Sequence, residues 1–120
     1  LPEEKKALLK TLEDVQAMIG HMVGVAMESQ ENPKEIYKVG LNTSRLLMAT
    51  GDLIIAWLLL RQADIAQSKL ANAGKDTEFY NGKIASAKFF VRSVLPHISV
   101  ERAVVESETG EIMNIAESAF

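Results

Sequence analysis

Apolar residues recur at helical spacing along most of the chain. Leu8, Leu12, Val15, Ile19, Met22 and Ala26 step by four and three, which predicts a helix over about 3–29 with these residues on its buried face. Pro2, Glu3 and Glu4 suit its start, because proline fits a first helical turn and acids complement the positive end of the dipole. Gly20 and Gly24 each weaken such a helix by about 1 kcal/mol relative to alanine, and both leave room for a neighbour to pack closely. The segment Ser29 to Asn32 breaks the pattern, with Asn32 expected as a cap and Pro33 as the first residue of a second helix. That helix runs over about 33–73, until Asn72, Gly74 and Lys75 stop it; a straight rod of that size spans about 60 Å. Gly40 and Gly51 mark places where it could bend. Near its end Leu59, Ala63, Ala66, Leu70 and Ala73 form a narrow face of mostly small residues that permits close helix packing.

A third helix is expected over about 77–95, with Tyr80, Ile84, Ala87, Val91 and Val94 inward and Asn81, Lys88 and Arg92 on the other side. Pro96 ends or kinks it, and a short fourth helix follows over about 98–107. After Gly110 the chain reads as a last turn and a tail with apolar anchors at Ile112, Met113, Ile115 and Phe120. Alternating strand patterns and internal repeats are missing. The fold expected is all-α: an antiparallel bundle of three main helices with a short C-terminal helix and tail, one domain over 1–120.

One stretch fits that bundle poorly. From Leu53 to Leu60 the second helix reads LIIAWLLL, with no polar face at all. A membrane span is not the explanation. The interval between Arg45 and Arg61 is fifteen residues and includes Asp52. A span needs about 20 apolar residues, and a central acidic residue costs about 2.5–3.5 kcal/mol. The helix should instead be covered by a partner or by further protein.

Composition narrows the options. The chain has 120 residues, 48% hydrophobic and 24% charged, in the range of a folded globular domain rather than a disordered one. A net charge of −3 leaves no electrostatic footprint for nucleic acid. With no cysteine there is no disulfide framework, thiolate metal site or cysteine nucleophile, which fits a reducing, cytoplasmic setting. The opening LPEEKK carries no leader pattern and is expected to follow from a longer polypeptide.

Chemical candidates are weak. Neither His21 nor His97 has a glutamate three residues before it, so the helical Glu-x-x-His metal pattern is missing. His21 is expected at a core margin and His97 in a loop or at a helix start. Gly74-Lys75-Asp76-Thr77 resembles the end of a phosphate loop, but Lys69 stands where the first glycine belongs and Asp76 replaces the hydroxyl residue. Asn42-Thr43-Ser44 matches a glycosylation sequon inside a helical stretch. Among the carboxylates Glu3, Glu4, Glu13, Asp14, Glu106 and Glu108, nothing in the sequence points to a shifted pKa. Asp52, set among apolar residues without a partner three or four away, is expected to pair with a lysine of another helix, such as Lys83 or Lys88. Trp57, Phe79, Tyr80, Phe89 and Phe90 fit core packing better than a ligand box. No residue is assigned a catalytic, cofactor-binding or metal role.

The segment FYNGKIASAKFFVRSVLP carries a resemblance. Phe79-Tyr80, Gly82-Lys83, Ala85, Ala87, Phe89-Phe90 and Val94-Leu95-Pro96 resemble the helical domain appended to the C-terminal end of large bacterial acyl-CoA dehydrogenases, the acetyl-CoA-dehydrogenase-like C-terminal domain. Trp57 to Arg61 is similar to that family's second helix, and Ile112 through Phe120 to its terminal segment, so the likeness runs over about 36–120. It implies a parent that binds FAD and an acyl-CoA thioester in preceding domains. There a glutamate removes the α-proton and hydride passes from the β-carbon to flavin N5. It also implies an inert segment that binds no FAD itself, a homo-oligomeric parent, and an apolar face around Leu53 to Leu60 or on the third helix where the catalytic body or another subunit sits. Lys83, Lys88 and Arg92 could meet coenzyme A phosphates on this reading, although solvation of a basic surface explains them more simply. The alternative is an independent helical interaction module that uses the same face.

Overall fold

Four α-helices form where the periodicity places them, in a computed structural model that describes residues 1–120. They are α1 (Pro2–Glu28), α2 (Ile36–Lys69), α3 (Thr77–Ser93) and α4 (Pro96–Ser107). Short 3-10 turns at Pro33–Glu35, Leu70–Asn72 and Gly74–Asp76 join them, and two more, Glu111–Asn114 and Glu117–Ala119, occupy the tail. Proline sets two of the starts: Pro2 opens α1, and Pro96 opens α4 after α3 has ended at Ser93. Gly74 and Gly110 adopt positive φ, which glycine tolerates without a Cβ clash, and turn the chain into α3 and into the tail.

α1 and α2 run antiparallel, since Lys5 at the start of α1 pairs with Asp64 near the end of α2 at 3.1 Å. α3 and α4 share the remaining side. Arg92 of α3 reaches Glu4 at the start of α1, and Glu101 of α4 reaches Arg45 in the first half of α2. One core joins all four: Val15, Met18 and Met22 from α1, Ala49, Ala56, Leu60 and Ala63 from α2, Ala87 and Val91 from α3, and Ile98 and Val105 from α4.

This core is thin. Only 19 of 120 residues are buried, and the molecule measures 67 × 29 × 16 Å. The radius of gyration is 19.7 Å, against about 14 Å for a compact chain of this length. The accessible surface is 8097 Å² where a compact monomer of 13.2 kDa has about 6,400 Å². Long helices laid side by side in a slab have no second layer to hide their outer faces.

Several expectations change. The buried face of α1 is Thr11, Asp14, Val15, Met18, Met22 and Val25, rotated away from the Leu12 and Ile19 edge, both of which are exposed. Gly20 and Gly24 have no neighbour within 4 Å of a built Cβ, so nothing in the bundle packs closely there. Asn32 makes no side-chain cap; its amide donates to Glu35 Oε1 at 3.4 Å. α2 continues through Gly40 and Gly51 as one helix. The tail anchors touch no core: Ile112, Met113 and Ile115 are exposed, and Phe120 is 89% exposed.

Candidate docking surface

α2 is turned inside out by size and by charge. Its inward positions are mostly small, with Ala49, Ala56 and Ala63 every seventh residue beside Asn42 and Leu60, and Ala56 fully buried. Small residues there bring α1 and α3 close. Its outward positions are large: Leu47 is 72% exposed, and Ile54, Leu58 and Ile65 are exposed on the same side. Between Ile36 and Leu60 the only charged residues are Lys38, Arg45 and Asp52, again at intervals of seven. They lie on the side that faces the rest of the chain. Lys38 Nζ forms an ion pair with Glu35 Oε2 at 2.6 Å, and Arg45 donates to Glu101 at 2.6 Å. The Glu35 carboxylate beside it raises the Lys38 pKa against the opposing effect of burial.

α1 adds a second uncovered stripe. Leu9, Leu12, Ile19, Val23 and Met27 recur at helical spacing and are all exposed. Lys5 continues that stripe by one turn, and its bond to Asp64 places the stripe alongside α2. Trp57, exposed on α2 with the Arg61 guanidinium 5.2 Å from its ring, borders it. At the far end Phe79 and Tyr80 of α3 meet edge to face at 5.5 Å, and Lys83 lies 5.4 Å from the Phe79 ring. With Gln62, Ile65 and Ala66 they line an open hollow of about 330 Å³.

Beneath this greasy surface two acids tie α1 to its neighbours. Asp14 is 2% exposed and accepts hydrogen bonds from Lys10 at 2.6 Å, Ser99 Oγ at 2.7 Å and Arg102 at 2.9 Å. Burial alone would push its carboxyl up; the bonds from Lys10, Ser99 and Arg102 outweigh that and hold it below the usual carboxylate range. Arg102 is raised in turn by its bonds to Glu106 and Asp14. Glu4, buried under Arg92 at 3.1 Å, is lowered first by a backbone hydrogen bond at the open end of α1, then by Arg92 and Lys88, against the opposing effect of burial. The sequence reading missed both acids. The available signal was Lys10 four residues before Asp14, with Ser99 and Arg102 three apart on one face of α4.

Asp52 does not do what was expected of it. It makes no ion pair with Lys83 or Lys88; it is half-buried at an open cleft of about 280 Å³ shared with Arg45, His97 and Glu101. Lys83 sits over Phe79 instead, and Lys88 contributes charge near Glu4. His21 lies at the core margin and His97 in the exposed first turn of α4, as their positions suggested. No three metal-ligating side chains converge. Thr77 Oγ1 donates to the Gly74 carbonyl at 2.7 Å, so the phosphate-loop lookalike is a helix-terminal turn. The arrangement is suited to burying apolar surface against something else.

The family described as "Acetyl-CoA dehydrogenase C-terminal like" matches residues 1–116. The chain is 43% identical to the broad-specificity linear acyl-CoA dehydrogenase FadE5 of Mycobacterium tuberculosis (strain ATCC 25618 / H37Rv), over 100% of this chain and 20% of that protein. It is 38% identical to a butyryl-CoA dehydrogenase of Syntrophomonas wolfei subsp. wolfei, over 68% of this chain and 14% of that protein. A 3-methylmercaptopropionyl-CoA dehydrogenase of Ruegeria pomeroyi is 40% identical over 54% of the chain and 11% of its own length. The chain thus spans about one fifth or less of the curated relatives it matches. A slab with an inverted central helix, matched along nearly its whole length, belongs to the acetyl-CoA dehydrogenase C-terminal-like family, the accessory C-terminal domain of acyl-CoA dehydrogenases.

Proposed function

We propose that this segment stabilises and helps assemble a cytoplasmic, homo-oligomeric, FAD-dependent acyl-CoA dehydrogenase, by packing its apolar broad side against the catalytic domains that precede it. The observation that carries the proposal is α2, whose Leu47, Ile54, Leu58 and Ile65 face outward while Ala49, Ala56 and Ala63, with Leu60, face its own bundle. A helix built that way gains from covering: each large side chain taken from water contributes about 1.5–3 kcal/mol.

The parent reaction is α,β-dehydrogenation of an acyl-CoA thioester, with FAD in the preceding domains as hydride acceptor. The residues of this segment do not fit that cofactor. Its open hollows are about 170–340 Å³ and bring no pair of free cations to a diphosphate: Arg92 is engaged by Glu4, and Lys83 by the Phe79 ring. A membrane reading has one point in its favour, because residues 33–72 are long and apolar enough to cross a bilayer by length and composition. Lys38, Arg45 and Asp52 in its first half, with Arg45 tied to Glu101 of the exposed α4, weigh against it.

Expression of the complete polypeptide, with and without this segment, tests the proposal. The whole protein is expected to bind flavin and to bleach its spectrum on acyl-CoA addition. Deletion of the segment is expected to lower the Tm of the catalytic part or drive it to aggregate. Turnover of acyl-CoA by the segment alone, or a whole protein without flavin, would refute this assignment.

A further inference from the structure

The outer face of α2 contains two helical glycines for which the bundle has no use. Gly40 and Gly51 lie inside a continuous helix, where glycine is about the worst residue short of proline. A Cβ added at either would meet nothing within 4 Å. Neither φ is positive, so no turn requires them. They are eleven residues apart, three helical turns, so they share one face about 16 Å apart along the axis. The exposed residues Leu47, Ile54, Leu58 and Ile65 flank them at steps of three, four and seven, the spacing of a helix–helix seam. No charge falls on that seam between Ile36 and Leu58.

We infer that a helix from the catalytic part of the same polypeptide lies along α2 at a shallow angle, with its backbone seated over Gly40 and Gly51. Ordinary helix pairs stand about 8–10 Å apart; a seam with glycine at both contact points lets the axes come closer, with Leu47, Ile54 and Leu58 closing around the seat. The shallow angle follows from the glycine spacing, because a helix crossing at about 50° leaves the seam before it reaches the second glycine. The occupant must be apolar, since nothing on the seam pairs a charge. It is assigned to the same polypeptide because four fifths of the FadE5 relative lies outside the matched region, and the excess surface of the slab, about 1,700 Å², is about twice the roughly 800 Å² that a standard interface hides on each partner. This inference rests on the reading of the segment as an accessory domain and adds to it where, and how closely, the body docks.

Thiol labelling of the full-length protein in an otherwise cysteine-free background tests it. Ile54→Cys and Leu58→Cys, one at a time, are reacted with a maleimide in native and urea-unfolded protein, with flavin content and acyl-CoA bleaching recorded on the same samples. A covered seam slows native labelling at least a hundredfold relative to the unfolded chain. Gly51→Leu then raises labelling at Leu58→Cys at least tenfold, while Gly82→Leu, on α3 with open space around it, leaves the rate unchanged. Fast native labelling in a flavin-replete, bleachable enzyme overturns the docking seam and spares the accessory-domain reading. A protein without flavin sinks both. Protection that vanishes on dilution to monomer assigns the seam to a second copy, against the inference. Protection indifferent to Gly51→Leu overturns the close approach.

Discussion

Asp14 and Asp52 show how far local sequence misjudges a carboxylate. Asp14 follows Glu13 in an ordinary polar run, yet it is the most enclosed charge of the bundle, because Ser99 and Arg102 arrive from 85 and 88 residues away. Asp52 sits next to leucine and isoleucine, yet it lines an open cleft without an ion-pair partner. Distance in space sets the electrostatics of both, and that cannot be read from neighbours in the chain. Asp14→Ala removes three hydrogen bonds to a buried carboxylate, from donors that keep access to water, and is expected to lower unfolding stability by about 1–2 kcal/mol in urea titrations. Asp52→Ala, beside it as a control, is expected to stay within about 0.5 kcal/mol of the parent. The pH dependence follows from the sign. The folded pKa values of Asp14 and Glu4 are depressed, so their contribution is fully present above the ordinary carboxylate pKa of about 4 and is lost as pH falls through the lowered values. Urea midpoints should therefore hold from pH 7 to 5 and drop below pH 4, with a shallower drop in Asp14→Asn. An acid limb identical in the two proteins would count against Asp14 as the group responsible.

Among the elements, α2 was legible in extent to about one turn at each end, running over Ile36–Lys69 where 33–73 was expected, and it was the least legible in orientation. Its length, its start near Pro33 and its stop near Gly74 follow from breakers and periodicity, and the α3 face at Ala87 and Val91 follows from the same rule. Which side of α2 faces inward does not, because Leu53 to Leu60 is apolar on every side. The alanines at 49, 56 and 63 decide, since three helices meet there at close range. α1 fails for a related reason: it has two apolar stripes, and the one richer in leucine and isoleucine is the outer one. Residue size, more than hydrophobicity, marks the inside of this bundle. Ala56→Leu should then force α1 and α3 apart and cost about 1–3 kcal/mol, an overpacking penalty visible in thermal unfolding. Gly82→Ala, on the open side of α3, should instead raise stability by up to about 1 kcal/mol through helix propensity alone. Equal responses to the two substitutions would mean that the alanine stripe is not under packing constraint.

At the scale of the molecule the surface excess and the uncovered stripes describe the same deficit. A chain that exposes 8097 Å² where about 6,400 Å² suffices carries surface that belongs to an interface, and Leu9, Leu12, Ile19, Val23 and Met27 beside Ile54, Leu58 and Ile65 show where it lies. Contiguous apolar surface beyond a few hundred Å² is unusual on a monomer. Produced alone, the segment has one available cover for that surface, which is another copy of itself. Its broad side, 67 by 29 Å, is large enough for the roughly 800 Å² per partner that a stable interface needs. Sedimentation of the isolated segment should therefore show concentration-dependent association, with binding of a hydrophobic dye at low concentration. Glutamate at Leu47 and Leu58 together places charge on the uncharged seam and should return the segment to monomer with its helical circular dichroism intact. A segment that stays monomeric and dye-free across the whole concentration range would show that its greasy side is tolerated by water, and the reason for the inverted helix would have to be sought elsewhere.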